Sequence, residues 1–511
     1  MKTILLFGAG KSATVLIDYL VKEAPAHDWK LVIADADRSL ILAKTNDSPY
    51  AEAVEADINN SDQRADLIQR ADIVISMMPP ALHILIARDC LALGKHLLTA
   101  SYVDEQIKEL SQSINDKGIL FLCELGLDPG IDHMSAMKLV HEIKAGDGEI
   151  ISFKSHCGGL VAPESDDNPW HYKISWNPRN IMMAGKAGAM YKLNDNTVKE
   201  KYEELFEVER GVTVNEEIGF LSWYPNRDSL PYINLYGLQE AGTFIRTTLR
   251  YPDFMYGWNN VIELKLTDET IVYETDGMSL AAFFKQHLEK VNFNEWLGDK
   301  LNERLSFAKD LTDKMTKLME AQKEMDEAHE ADPAVEPVEE FSVVDAEGNV
   351  QEIDIEQMKD RAAYAIAHKM HEANQTLKQL LFLGIEDEET IINKGRCSAA
   401  DVLQFAMERK LALQPGDKDM IVMLHEIEYR LAGQQNKIES SLIVKGEDSL
   451  HTAMAKTVGL PLGIAAKLIL DGTIQLRGLH IPTHEEIYNP VLKELEEKGI
   501  VFVEKRMILE R

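Results

Sequence analysis

Gly126, Asp128, Pro129, Gly130, Asp132 and His133 fall within the eight residues GLDPGIDH (126–133), where an apolar run gives way to a helical pattern. Glycine and proline shape a corner, while the carboxylates and the imidazole are groups that hold or move protons. Asp132 is placed to cap the following helix, and His133 reads as structural. Such a corner alone is a loop; its place in the chain and the other motifs give it meaning. GAGKSA (8–13) matches G-x-G-x-x-A, with Gly8 for a tight turn, Gly10 for close approach to a pyrophosphate and Ala13 for helix packing. Lys11 and Ser12 complete the turn, and the helix amino terminus would hold the phosphates. A mononucleotide phosphate loop is excluded, because Leu5 stands where that motif needs glycine. Asp35 closes the second apolar run, where a carboxylate accepts ribose hydroxyls and repels a 2′-phosphate, favouring NAD over NADP. Arg38 close by complicates that choice. Asp57, beside Ile58, closes the third run and either meets the adenine edge or caps a helix.

PNRDSLPY (225–232) and IRTTLRY (245–251) contribute Arg227, Arg246 and Arg250, which suit carboxylates through paired hydrogen bonds. Cys157 by itself is either a small buried hydrophobe or a reactive thiol. No Ser-His-Asp, HExxH or CxxC pattern occurs, and no metal site is expected. Hydride transfer needs none of these, since the cofactor carries the difficult step.

Apolar strands at 3–8, 30–35, 53–58, 72–78, 95–100 and 119–125 alternate with helical stretches. This predicts a Rossmann-type doubly wound parallel sheet, with the corner at 126–133 on its carboxyl edge. From residue 149 the pattern changes to a second, mixed sheet (EIISFKSHCGG, TTLRY, VIELKLTD, DMIVMLHEIEY, KIESSLIV), with helices at 300–330, 356–383 and 398–410. The expected fold class is α/β, with a mixed α/β substrate domain and a helical insertion. The dinucleotide-binding domain takes residues 1–130, completed by about 450–511. The substrate and dimerisation domain takes 131–295 and about 415–450, and the helical domain 296–414, with an acidic excursion at about 320–355. The net charge of −31 on 511 residues excludes nucleic acid and anionic membrane as partners. Four scattered cysteines fit a reducing cytoplasm. The first apolar run is too short for a signal peptide, and two prolines and a histidine break the apolar run IVISMMPPALHILIA, so no transmembrane span is expected.

Beyond these readings, GLDPGIDH (126–133), the spaced pattern from Cys157 to Arg179, YPNRDS (224–229), TLRY (248–251) and TVGLPLGIAAKLILDGTI (457–474) resemble the glutamate-forming saccharopine dehydrogenase family. The resemblance implies an enzyme that interconverts saccharopine with glutamate and 2-aminoadipate semialdehyde, using NAD or NADP, and acting as a homodimer. It implies substrate contacts at Ser101, Tyr102, Asp128, Arg227, Thr248, Leu249 and Arg250, with Asp128, Tyr102 and Cys157 as the groups nearest the chemistry. Ser101, Leu127, Asp128, Pro129 and Pro178 would join the glycine turn, Asp35, Asp57 and Ile58 in holding cofactor. Val161, the pair Trp170–His171 and Asp35 depart from the family pattern. Two other readings stay open: a carboxynorspermidine-type imine reductase, and a dinucleotide sensor without chemistry.

Overall fold

The computed structural model describes residues 1–331, 340–344, 350–354 and 374–509. They fall into two compact units: Met1–Asp167 with His171–Met255 and Leu411–Arg511, and Asn168–Trp170 with Tyr256–Lys410.

The first unit opens with β1 (Lys2–Phe7), β2 (Trp29–Asp35), β3 (Ala51–Glu55), β4 (Ile73–Ser76), β5 (His96–Thr99) and β6 (Leu120–Leu122). They form a parallel sheet ordered β6-β5-β4-β1-β2-β3, extended beyond β6 by a late strand, Gly478–His480. Alternate side chains enter two separate cores. Ile4, Leu6, Ile33 and Ile75 enter one, and Leu5, Phe7, Val32 and Val74 the other. Both faces are thus dry, which is why these strands read as continuous apolar runs. Helix α1 (Thr14–His27) packs against a distant helix, Ala453–Leu470, where Gly459 and Gly463 bring the backbone against Leu16 and Tyr19. Among the described residues this late helix alone is long and apolar enough to cross a membrane, and most of it is buried within the protein.

The second sheet of this unit is built on β7 (Glu149–Val161), paired parallel with Thr243–Arg250 and antiparallel with Asp419–Leu431. Ser155 and Cys157 lie on the face covered by helix Ile131–Ala145, whose Ser135 hydroxyl is 2.7 Å from His425 Nε2. His156 points to the opposite face, towards Thr247 and Glu426.

The second unit is mainly helical, with Leu280–Lys290, Phe293–Ala331 and Ala399–Lys410. Within it, the Trp170 indole donates to the Gln379 carbonyl at 3.2 Å. Glu340–Val344 and Val350–Asp354 pair antiparallel inside the stretch read as an acidic excursion. The helix expected at 356–383 lies outside the described residues up to 373. One expectation is overturned. VIELKLTD (261–268) is no strand, because helix Pro252–Glu263 runs into it and the chain turns at Lys265 with φ +53°. Phe254, Met255, Trp258, Val261 and Ile262 are buried at helical spacing, and that longer period outweighs the local alternation.

Candidate active site

The glycine turn follows β1. Gly8 has φ +98°, and a Cβ there would press on the Met77 carbonyl at 3.0 Å, so only glycine suits this turn. Nothing lies within 4 Å of a Cβ built on Gly10, and this open approach at the start of the α1 region fits a dinucleotide pyrophosphate. Lys11, Ser12 and Ala13 form a single 3-10 turn leading into α1. Asp35 reaches this turn: its carboxylate accepts the Ala9 N–H at 2.7 Å and the Asp37 N–H at 3.0 Å. No sequence motif singles out Lys44, whose ammonium donates to the Ala9 and Gly10 carbonyls at 2.7 and 2.6 Å. A cation therefore lies beside Asp35, and the repulsion expected from an unscreened carboxylate is offset. Arg38 donates to the Ala53 carbonyl at 3.3 Å instead. Asp57 caps no helix: Asn60 caps Ser61–Gln69, while Asp57 binds the Asn59 backbone. Ile58 packs partly buried on the sheet, and Pro178 opens the short helix Pro178–Met183, capped by Asn177.

At the carboxyl edge the chain folds back on itself between Gly126 and Gly130, and the Asp128–Pro129 peptide is cis. A Cβ on Gly130, at φ +147°, would overlap Gly126, so the corner closes only around glycine. Asp132 is not the helix cap expected of it. Gly130 occupies that position, and Asp132 sits in the first turn, accepting the Gly130 N–H at 2.6 Å. Its other oxygen pairs with Arg246 at 2.7 Å, and Arg246 also binds Asp128 at 2.6 Å. Arg246 is thus consumed inside the protein rather than offered to a substrate carboxylate. Burial raises the Asp128 carboxyl to about 6 against the pull of Arg246, whereas Asp132 is held below the ordinary range, chiefly by His133 and Arg246. Within the pair, Asp128 is the member that takes up a proton.

Tyr102 and Asn226 each approach the Asp128 carboxylate to 3.4 Å, and the Arg227 guanidinium lies 5.0 Å from the centre of the Tyr102 ring. Burial pushes the Tyr102 hydroxyl upward, so it is a proton donor and not a phenolate. Thr248 stands beside Cys157 in the ladder, on the face with Arg246 and Arg250. Burial and the Asp128 and Asp132 charges drive the Cys157 thiol well up, which leaves it no thiolate character. Leu249 points the other way, into a core with Leu160, Leu221 and Met420, so only its backbone can serve a ligand on the site face. Arg250 is 5% exposed and stacks on Tyr172 and Phe254. It forms no ion pair among the described residues, and its Nε has no hydrogen-bond partner there. Leu127 is buried in the core beneath the corner. His133 is fully buried: its Nε2 is 2.9 Å from Glu124, and its Nδ1 meets the Tyr236 hydroxyl. Glu124 also accepts from Tyr232 and from the Val103 N–H. Tyr232 closes the PNRDSLPY run, but its link to Glu124 spans 108 residues and leaves no local signal.

An open glycine turn on a parallel sheet, together with a carboxylate and a phenol at the carboxyl edge of that sheet, is the kind of arrangement a nicotinamide-dependent oxidoreductase requires. Comparison with known proteins sharpens this. The family model described as the saccharopine dehydrogenase NADP binding domain matches residues 4–122, and that of the saccharopine dehydrogenase C-terminal domain matches 126–500. The chain belongs to the saccharopine dehydrogenase family. It is 30% identical to the saccharopine dehydrogenase [NADP(+), L-glutamate-forming] of Pyricularia oryzae, over 99% of both chains. It is 31% identical to the alpha-aminoadipic semialdehyde synthase of Arabidopsis thaliana, covering 98% of this chain but 44% of that protein. The chain thus spans under half the length of that relative, and likewise 48% of the Bos taurus synthase. The apo structure of saccharopine dehydrogenase (L-Glu forming) from Saccharomyces cerevisiae superposes with a TM-score of 0.75 at 26% identity, covering 99% of this chain and all of that one.

Proposed function

We propose that this protein interconverts saccharopine with L-glutamate and 2-aminoadipate 6-semialdehyde, in lysine metabolism. The observation that carries the reading is Arg250, a buried guanidinium with no anionic partner among the described residues, on the same sheet face as Arg246, which holds Asp128. Leaving such a charge unpaired is costly, and a substrate carboxylate would satisfy it. Arg227, exposed and lying over the Tyr102 ring, offers a second cation.

A bound nicotinamide supplies the hydride acceptor in one direction and the donor in the other. The protein supplies the rest. Asp128, ionised above about pH 6, accepts a hydrogen bond from the substrate's secondary amine and keeps that nitrogen at the corner. Tyr102 donates its hydroxyl towards the same carboxylate and fixes its orientation. In the oxidative direction a water opens the oxidised carbon–nitrogen bond and must lose a proton, which solvent can carry away while Asp128 holds the amine in place. The pair of available arginines supports a dicarboxylic amino acid over a cationic polyamine adduct. Steady-state turnover of saccharopine, carboxynorspermidine and simple amino acids tests this: saccharopine should win clearly, and a preference for the polyamine adduct would overturn the reading.

We also propose that NAD is preferred, on the strength of Asp35 at the glycine turn. The named relatives from Pyricularia oryzae and Saccharomyces cerevisiae carry NADP(+) in their names, and Lys44 beside Asp35 should keep the discrimination small. The ratio of specificity constants for the two cofactors checks this. A clear NADP preference would sink the proposal and make Lys44 the residue to change next.

A further inference from the structure

β4 ends at Ser76, which is 1% exposed, and Ser101 follows β5 at the same carboxyl edge. His83 stands between them, 5% exposed, with Nδ1 2.7 Å from the Ser76 hydroxyl and Nε2 2.7 Å from the Ser101 hydroxyl. These positions alone do not say which way the protons point, but the surroundings do. Among the described residues the Ser76 oxygen meets no carbonyl or carboxylate that could take its proton; its partner is the imidazole. A buried hydroxyl that donated to nothing would forfeit a hydrogen bond, so Ser76 must donate to Nδ1. Nδ1 is then bare, and in a neutral ring Nε2 carries the hydrogen. Burial holds this imidazole neutral, pushing its proton affinity down to about 4. Nε2–H therefore donates to Ser101, whose own O–H is left unspent.

From this geometry we infer that Ser76 and His83 form a one-way relay that makes the Ser101 hydroxyl an obligate donor, aimed at an acceptor oxygen of the bound reactants. The inference rests on the site proposed above, and His83 is a positioning residue in it. Two ligand atoms share the required chemistry: a carboxylate oxygen of the amino-acid substrate and the carboxamide oxygen of the nicotinamide. Neither the G-x-G-x-x-A turn nor the corner at Asp128 takes part, so the relay is a separate device at the same edge. Its purpose is to stop Ser101 from turning its proton inward to the imidazole, which would offer the reactant's oxygen a lone pair.

Two measurements decide it. First, nitrogen-15 spectra of ligand-free protein labelled at histidine, with His83 assigned by its absence in H83Q, should show a bare Nδ1 and a protonated Nε2. The opposite tautomer overturns the relay, whatever the enzyme turns over. Second, S76A, H83L, H83Q and S101A are compared in NADH binding by fluorescence, in saccharopine binding by calorimetry, and in KM and kcat. H83L, S76A and S101A should each weaken one ligand about tenfold, the worth of one good hydrogen bond to a polar partner. H83Q, whose amide N–H can reach towards Ser101, should recover most of that loss. If the weakened ligand is NADH the acceptor is the carboxamide, and if it is saccharopine the acceptor is a carboxylate; either supports the relay. Equal behaviour of H83L and H83Q, or unchanged binding of both ligands in S101A, overturns it. Absence of saccharopine turnover in the wild type would overturn the proposed function while leaving the tautomer and NADH results to stand.

Discussion

Asp128 has two duties that can be separated by experiment, because holding an amine and moving its proton fail differently. Held against Arg246 and titrating near 6, it is well suited to the first. Asp128→Ala should therefore raise KM strongly and lower turnover by only about tenfold, short of the 10²–10⁴ that a general base supplies. The sign of the pH effect follows from the raised carboxyl. Below about 6 the folded protein binds a proton at Asp128 and loses its acceptor, so oxidative kcat/KM should fall as pH drops through that value. Asp128→Asn should abolish this limb, and a thousandfold loss of turnover in the alanine variant would instead make Asp128 the base. Arg250 and Arg227 differ in setting. Arg250→Ala removes a buried charge and should weaken saccharopine binding by about 2–5 kcal/mol while sparing the cofactor. Arg227 is exposed and should cost less, about two- to fivefold. Calorimetric titration of each variant with both ligands checks the order, and an Arg250→Ala protein of wild-type affinity would show that no carboxylate docks there. Of these residues, the sequence pointed to Asp128, Tyr102 and the arginines. It could not show that Arg246 is spent on Asp128 and Asp132, because an ion pair across more than a hundred residues leaves no trace in local spacing.

At the scale of elements, the period of the apolar pattern was readable wherever one period ruled. β1, β2 and β4 are buried on both faces and appear as plain apolar runs. The pattern failed at VIELKLTD, where a helix end mimics alternation, and at β6, where only Leu120–Leu122 of a longer apolar run pairs as strand. The late helix was readable as a helix, but not its docking on α1. Gly463 is the test of that docking. A Cβ there would stand 2.5 Å from Tyr19 Cδ1, so Gly463→Leu should lower stability by about 1–3 kcal/mol through overpacking. Gly298, in Phe293–Ala331, meets nothing within 4 Å, and Gly298→Ala should gain up to about 1 kcal/mol from helix propensity. Urea unfolding of the two variants should move in opposite directions, and a neutral Gly463→Leu would mean the helices can part without cost.

For the whole molecule, charge was the most legible property and site geometry the least. A net charge of −31 repels a polycarboxylate at long range, while buried Arg250 attracts it only at contact. Salt screens the distant repulsion first, with a Debye length of about 10 Å at 0.1 M, and screens buried pairs much less. Oxidative kcat/KM should therefore rise about two- to threefold between low salt and 0.1 M. A steady fall over that range would show that attraction to the arginines already governs approach from a distance.

The late helix Ala453–Leu470 and the strand Gly478–His480 also bear on how the protein is made. On the ribosome β1 to β6 emerge long before residues 453–480, yet the edge of β6 and the inner side of α1 wait for those later partners. Domains ordinarily fold in order as they emerge, but here the first sheet stays open until His480 has been translated. Its apolar flank and unpaired strand edge are then the surfaces on which a nascent chain would be held by chaperones or lost to aggregation. Slow translation between residues 122 and 453 should prolong that exposure, and a stop codon near residue 450 should leave the nucleotide-binding sheet uncapped despite an intact glycine turn.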